Sequence, residues 1–267
     1  MIRFVKAHAC GNDFLVVEAR QISAERQREM AIHLCARNTG IGADGVEYLE
    51  WTGERAGRIR LFNADGSIAE ISGNGTRCVA AWMAHEKGLQ CGDILTLETD
   101  AGPRECRIVD ASSSHYQIAS RMGIPEISMR SVDLNGKQVE GVVVSVGNPH
   151  FVIFVPDGSF TILGRSWQEI GQDICFHPDF PQQTNVEFVH ILNVNEIEFR
   201  IFERGVGPTA SSGTGACASA VATISQRGGA KHLLARSLGG EQRVEWDRTG
   251  EILLTGPAEL IAQGEAF

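Results

Sequence analysis

Two stretches of this chain are built alike. FNADGSIAEISGNGTRC, residues 62–78, and FERGVGPTASSGTGAC, residues 202–217, both open on Phe and reach a serine ten residues later. Each then continues Ser-Gly-X-Gly into an Ala-rich segment, and the two serines, Ser72 and Ser212, stand 140 residues apart. A chain that repeats one turn at that distance is constrained to fold as two similar halves, each with the same strand–turn–helix unit. Other features fall into step. Gly11-Asn12 and Gly147-Asn148 each follow a strand-like run, and each precedes its Ser-Gly turn in the same order. The halves are expected to cover residues 1–125 and 126–255, with the last strands, 256–267, packing with the first half, and to meet at a pseudo-twofold axis.

The hydrophobic pattern is rich in strands. Alternation predicts strands over 2–8, 14–18, 45–51, 57–62, 94–99, 103–109 and 115–120 in the first half. In the second half it predicts them over 138–146, 151–155, 186–192 and 196–202, and a closing hairpin from 242–247 and 251–255. Helical spacing covers 24–35, 75–87, 166–172 and 216–227, the last ending at Gly228-Gly229. The fold class expected is α/β of the α+β kind: two similar halves, each a curved, mostly antiparallel sheet around a central helix.

Composition limits the partners. The formal charge of −9 argues against nucleic acid or an anionic membrane. No apolar run reaches the length that spans a bilayer, and MIRFVKAHACGNDF meets charges too early for a signal peptide. The expected location is cytoplasmic. The seven cysteines lack ligand spacing, and most of them read as reduced, buried small hydrophobes, with no metal site among them.

A Ser-Gly-X-Gly turn feeding a helix presents backbone N–H groups at the positive end of the helix dipole, which suits a phosphate or a carboxylate. Phosphate-loop patterns are missing: there is no GxxxxGK[ST], and Gly205-Val-Gly207 lacks the dinucleotide spacing. A serine before a helix is by itself most often only an N-cap. Two matched serines with matched asparagines favour a symmetric site, in which one substrate carboxylate lies over the amides and a group stands on each face of its α-carbon. That arrangement suits racemisation without a cofactor.

The motifs His8-Ala-Cys-Gly-Asn12-Asp13-Phe14, Thr39-Gly-Ile-Gly-Ala-Asp44-Gly45, Phe62-Asn63-Ala-Asp65-Gly66-Ser67 and Gly73-Asn74-Gly75-Thr-Arg77-Cys78 resemble, in order, those of diaminopimelate epimerases. Gly147-Asn148-Pro149-His150, Thr184-Asn185-Val186-Glu187, Glu203-Arg204-Gly205 and Gly213-Thr214-Gly215 extend the resemblance over nearly the whole chain. It implies an active site in a cleft between two similar halves, no metal or organic cofactor, a small amino-acid substrate and a homodimer. Residue by residue, it implies that Asn12, Asn63, Asn148 and Asn185 bind the substrate's amino and carboxylate groups. The reacting carboxylate would lie over Gly73-Asn74 and Gly213-Thr214. Glu203 and Arg204 would contact substrate, and His150 with Glu203 would tune the acid/base pair.

One departure bears on the chemistry. The resemblance places two catalytic cysteines where this chain has Ser72 and Ser212, and a glutamate where it has Pro208. A thiol with a reference pKa of about 8.5 yields a usable thiolate at a helix start, whereas a serine needs an adjacent base. Cys78 and Cys217 lie further along, inside the helices. The activity expected is a two-base epimerisation of LL- to meso-diaminopimelate, a precursor of lysine and peptidoglycan. Two alternatives stay open: an isomerase or racemase of another small carboxylic acid, and a non-catalytic amino-acid binder or Cys-to-Ser inactivated variant.

Overall fold

The computed structural model describes residues 1–267. The chain forms two compact units: Met1–Arg121 with Thr255–Phe267, and Met122–Leu254.

The first unit begins with β1 (Ile2–Ala9), β2 (Asn12–Glu18), α1 (Ala24–Cys35), β3 (Gly45–Gly53) and β4 (Ala56–Asn63). It continues with β5 (Ile68–Ala69), α2 (Gly73–Lys87), β6 (Ile94–Thr99), β7 (Gly102–Ser112) and β8 (His115–Arg121). The second contains β9 (Glu126–Leu134), β10 (Lys137–Ser145), β11 (Pro149–Phe154), β12 (Thr161–Ile162), β13 (Arg165–Ser166) and α3 (Trp167–Cys175). Then come β14 (Asn185–Asn193), β15 (Glu196–Glu203), β16 (Gly207–Thr209), α4 (Gly213–Gln226), β17 (His232–Ser237) and β18 (Gly240–Glu245). The last strand, β19 (Leu253–Ala266), pairs antiparallel with β1 and also pairs with β8. The first unit's strands therefore close into a ring.

The two units share one topology. Antiparallel β1–β2 and parallel β2–β3 correspond to β10–β11 and β11–β14. Antiparallel β3–β4, then parallel β4–β6, correspond to β14–β15 and β15–β17. From β3 to the start of α2 the shift stays at 140 residues: Gly45 matches Asn185, Ala56 matches Glu196 and Gly73 matches Gly213. The earlier strand is shifted by four fewer, because Phe14 opposes Gly45 just as His150 opposes Asn185.

Each unit surrounds one helix. From Gly73 to Ala84 every residue of α2 except Trp82 is buried, and α4 is buried continuously from Gly213 to Ile224. A helix that is apolar and small-sided all round belongs inside, and their alanines let strands approach from every side. Helix α2 stops at Gly88, whose left-handed φ of 62° suits a residue without Cβ. In contrast, α1 buries only Gln27, Ala31, Leu34 and Cys35, which is one face.

Some sequence expectations are corrected. The central helices start at Gly73 and Gly213, two and three residues earlier than the pattern indicates, because the serine before each serves as cap and the glycines form the first turn. Strand β18 makes its hairpin with β17, whose alternation is hidden by the run Leu233-Leu234-Ala235, and the chain ends in a single 14-residue strand. Strand β9 was also unforeseen: most of it is exposed, so it carries no apolar pattern. The expectation that most cysteines are buried holds for six of the seven, and Cys91 is the exposed one.

Candidate active site

The two helix starts are built alike. Ser72 and Ser212 hold extended backbone, φ −123° and −142°, and each Oγ accepts the N–H of the glycine three residues on, at 3.0 Å from Gly75 and 3.1 Å from Gly215. Their carbonyls accept the first helical bonds, from Thr76 and Ala216. The N-cap reading of both serines is therefore correct as local structure. It leaves the hydroxyls at the rim of a positive helix end. Ser212 is buried, and Ser72 half-buried.

The glycines that close the two turns have a physical reason. A Cβ on Gly75 would lie 2.1 Å from Glu47 Oε1, and one on Gly215 would lie 3.1 Å from Glu187 Oε1. The same two points lie 3.3 Å from the Cβ of Ser72 and 3.1 Å from the Cβ of Ser212. A buried carboxyl therefore sits beneath each helix start, beside the capping serine. Glu47 and Glu187 are themselves 140 residues apart, on β3 and β14. Glu187 closes the Thr184–Glu187 motif without a role assigned to it and Glu47 lies outside every motif, although the repeat that pairs the serines also pairs them.

The surroundings of the two carboxyls differ. His150 Nδ1 lies 2.6 Å from Glu187 Oε1, and its Nε2 lies 2.9 Å from the Asn148 side-chain oxygen, an acceptor. The ring therefore donates from Nε2, and the Nδ1–Glu187 contact shares one proton between imidazole and carboxyl. Burial raises the Glu187 pKa, and His150 pulls it back. Glu47 has no such neighbour: neither of its oxygens is hydrogen-bonded, and burial, with repulsion from Asp100, pushes its pKa to about 8.

In the second unit, Asn148 donates to Thr214 Oγ1 at 3.3 Å, and Thr214 Oγ1 lies 3.3 Å from Ser212 Oγ. Ser212 is thus linked to His150 through two polar side chains. Asn185 donates to the Pro149 carbonyl and accepts from the Arg204 backbone N–H, which fixes the loop that carries Arg204. Glu203 Oε1 accepts from Thr209 Oγ1 at 2.6 Å. The carboxyl in contact with His150 is Glu187, so the sequence reading, which joined His150 with Glu203, lacked that residue. Gln242, buried on β18, reaches Ser211 Oγ and the Ser212 carbonyl and holds the turn from behind.

In the first unit, Asn74 donates to Asn12 Oδ1 at 3.1 Å, and Asn12 donates to Asp44 at 2.7 Å. Arg77, fully buried, donates to Asn74 Oδ1, the Gly73 carbonyl and the Pro257 carbonyl, tying the helix start to β19. Asn63 donates to Ser67 Oγ at 2.9 Å within its own turn. The structure therefore gathers Asn12, Ser72, Gly73 and Asn74 at one helix start, and Asn148, His150, Ser212, Gly213 and Thr214 at the other. Asn63 opens the turn after β4, while Asn185, Glu203 and Arg204 join the ends of β14 and β15. The thiol of Cys78 is driven far up by burial and supplies no thiolate. No helix is long and apolar enough to cross a membrane.

A model of the family "Diaminopimelate epimerase" matches residues 4–127 and 142–261. A diaminopimelate epimerase of Halothermothrix orenii is 38% identical, across 99% of this chain and 97% of its own. One of Moorella thermoacetica is 34% identical, across 99% of both. Among solved structures, a predicted epimerase from Pseudomonas aeruginosa superposes with a TM-score of 0.77 at 16% identity, covering 100% of this chain and 99% of its own. A hydroxyproline epimerase from Agrobacterium vitis gives 0.70 at 16% identity, covering 98% and 90%.

Proposed function

The chain belongs to the diaminopimelate epimerase family, and from that premise we propose that it inverts the α-carbon of diaminopimelate, LL to meso, by two-base proton transfer without a cofactor. The observation that carries the reading is the duplicated helix start: a capping serine, first-turn amides and a buried carboxyl, built twice by a chain that matches the family over residues 4–127 and 142–261. Inversion needs one group to take a proton from one face of the α-carbon and another to return it to the opposite face. Two copies of one turn supply two such groups.

On this reading the substrate carboxylate is held by amides at Gly73-Asn74 and Gly213-Thr214, and by the asparagines around them. The partial positive charge of a helix start stabilises the extra negative charge that develops as the α-proton leaves. Ser72 and Ser212 stand where the family would place its thiols. A hydroxyl is a poor base unaided, so each depends on its surroundings. For Ser212 these are Thr214, Asn148 and the His150–Glu187 pair. Glu203 and Arg204 contact the substrate. The family likeness also underlies the expectation of a cytoplasmic homodimer.

One observation favours a second reading, a carboxylate binder without turnover: both serine hydroxyls are occupied as helix caps. Placing cysteine at both positions distinguishes the two. If the remaining pocket is complete, S72C/S212C gains epimerase activity by about two orders of magnitude or more, the typical worth of a well-matched acid/base. A double variant that binds diaminopimelate but stays inert contradicts the assignment of the serines.

A further inference from the structure

The repeat breaks at one buried point. Register places Phe14 in the first unit where the second has His150: Val16 opposes Glu47 and Phe14 opposes Gly45, as Val152 opposes Glu187 and His150 opposes Asn185. Phenylalanine has nothing to share with a carboxyl. Glu47 is 1% exposed, and neither oxygen has a hydrogen-bond partner. Its strand neighbours are apolar, Val16 on β2 and Leu61 on β4. From α2 it faces the Gly75 backbone and the Cys78 thiol, and the one nearby charge, Asp100 in the turn after β6, is of like sign. A carboxyl so placed keeps its proton, because ionising it without a partner costs more than holding it.

Resting on the epimerase reading, we propose that Glu47 is a positioning residue of the Ser72 site: by remaining uncharged beneath the first turn of α2, it keeps that helix start receptive to the substrate carboxylate. Its Oε1 occupies the space a Gly75 Cβ would fill, and Ser72 Cβ lies 3.3 Å from that same point. When Glu47 loses its proton, a negative charge appears about one helix turn from the docked carboxylate. At about 5–6 Å and an effective dielectric of about 20, the repulsion weakens binding on the order of a hundredfold. It also opposes the helix dipole that attracts the ligand. The second unit has no such failure, since Glu187 shares its proton with His150. The two helix starts therefore differ in kind: one rests on a neutral acid, the other on a balanced pair.

The test uses the full-length protein and its E47Q variant, which keeps the shape but cannot ionise, with E47M in reserve should the buried amide prevent folding. Calorimetry measures LL-diaminopimelate affinity from pH 6.5 to 9.5. Wild-type affinity is expected to fall at least tenfold more than that of E47Q over the range. The comparison removes the contribution of the ligand's own amino groups, which titrate in the same region. Parallel pH profiles for the two proteins overturn the inference. Independently of any ligand, the side-chain carboxyl ¹³C shift of Glu47, assigned by its loss in E47Q, is expected to stay at the protonated value at pH 7. A midpoint in the ordinary carboxylate range overturns the inference equally. If diaminopimelate binds neither protein at any pH, the substrate reading falls, and the carboxyl titration alone decides the role of Glu47.

Discussion

At the scale of single residues, Glu47 packs directly against Gly75, whose Cβ, if present, would lie 2.1 Å from Glu47 Oε1. A methyl group on Gly75 would overlap Glu47 Oε1, and the carboxyl has little freedom to move in a fully buried site. Gly75→Ala should destabilise the protein by about 2–4 kcal/mol, as overpacking and displaced buried polar groups do. Most of that loss should disappear in an E47A background, and a double-mutant cycle by urea unfolding measures the coupling. Additive losses would mean that the glycine answers to backbone conformation alone. On the other unit, His150→Ala removes the only group sharing a proton with Glu187 Oε1, so it should cost about 3–5 kcal/mol, as leaving a buried ionisable group unpaired does.

At the scale of elements, the two central helices depend on their caps. Removing either hydroxyl, in Ser72→Ala or Ser212→Ala, should cost about 1 kcal/mol of stability, seen as a lower urea midpoint with unchanged slope. A loss of that size is small beside the loss of activity the epimerase reading requires, so the structural and chemical roles of each serine can be separated. The elements were mostly legible in the sequence because they alternate or carry helical spacing, and Ala24–Cys35 matches its predicted bounds. Strand β3 shows where that method stops. Its alternation suggests one wet face, yet residues 45–49 are all buried. Val46 and Tyr48 pack with α1 while Leu49 packs in the cluster around α2. Covered on both faces, the strand hides Glu47 in a position that a one-sided strand would leave in water. The pairing of His150 with Glu187 was hidden for a different reason: it joins parallel strands 37 residues apart, and no local period reports that contact.

At the scale of the whole molecule, the 140-residue repeat that pairs Ser72 with Ser212 also pairs Glu47 with Glu187, so the two-unit topology and both carboxyls are legible in the same spacing. Pro208 remains without a structural account. The buried carboxyl of Glu47 also sets a global pH dependence. Its folded pKa of about 8 lies above its unfolded value of about 4.3, so between those limits the folded chain holds a proton that the unfolded chain has released. Stability contributed through this group therefore falls as pH rises from about 4 to about 8, then levels off, at no more than about 1.4 kcal/mol per pH unit. Asp13 acts in the opposite sense: Arg37 and Lys6 outweigh its burial and hold its pKa below the usual value, so its contribution is lost on acidification. Chemical denaturation across pH should show E47Q gaining on the wild type between pH 5 and 8. A constant difference over that range would mean that Glu47 titrates alike in both states.

The proposed activity is an inversion that uses both Ser72 and Ser212. Incubating the protein with LL-diaminopimelate in heavy water, and following deuterium at the α-carbon by mass spectrometry together with the appearance of the meso isomer, tests it directly. The account predicts incorporation coupled to inversion in the wild type, with inversion lost on replacing either Ser72 or Ser212 by alanine. Binding without incorporation, or inversion that survives both alanine variants, would contradict it.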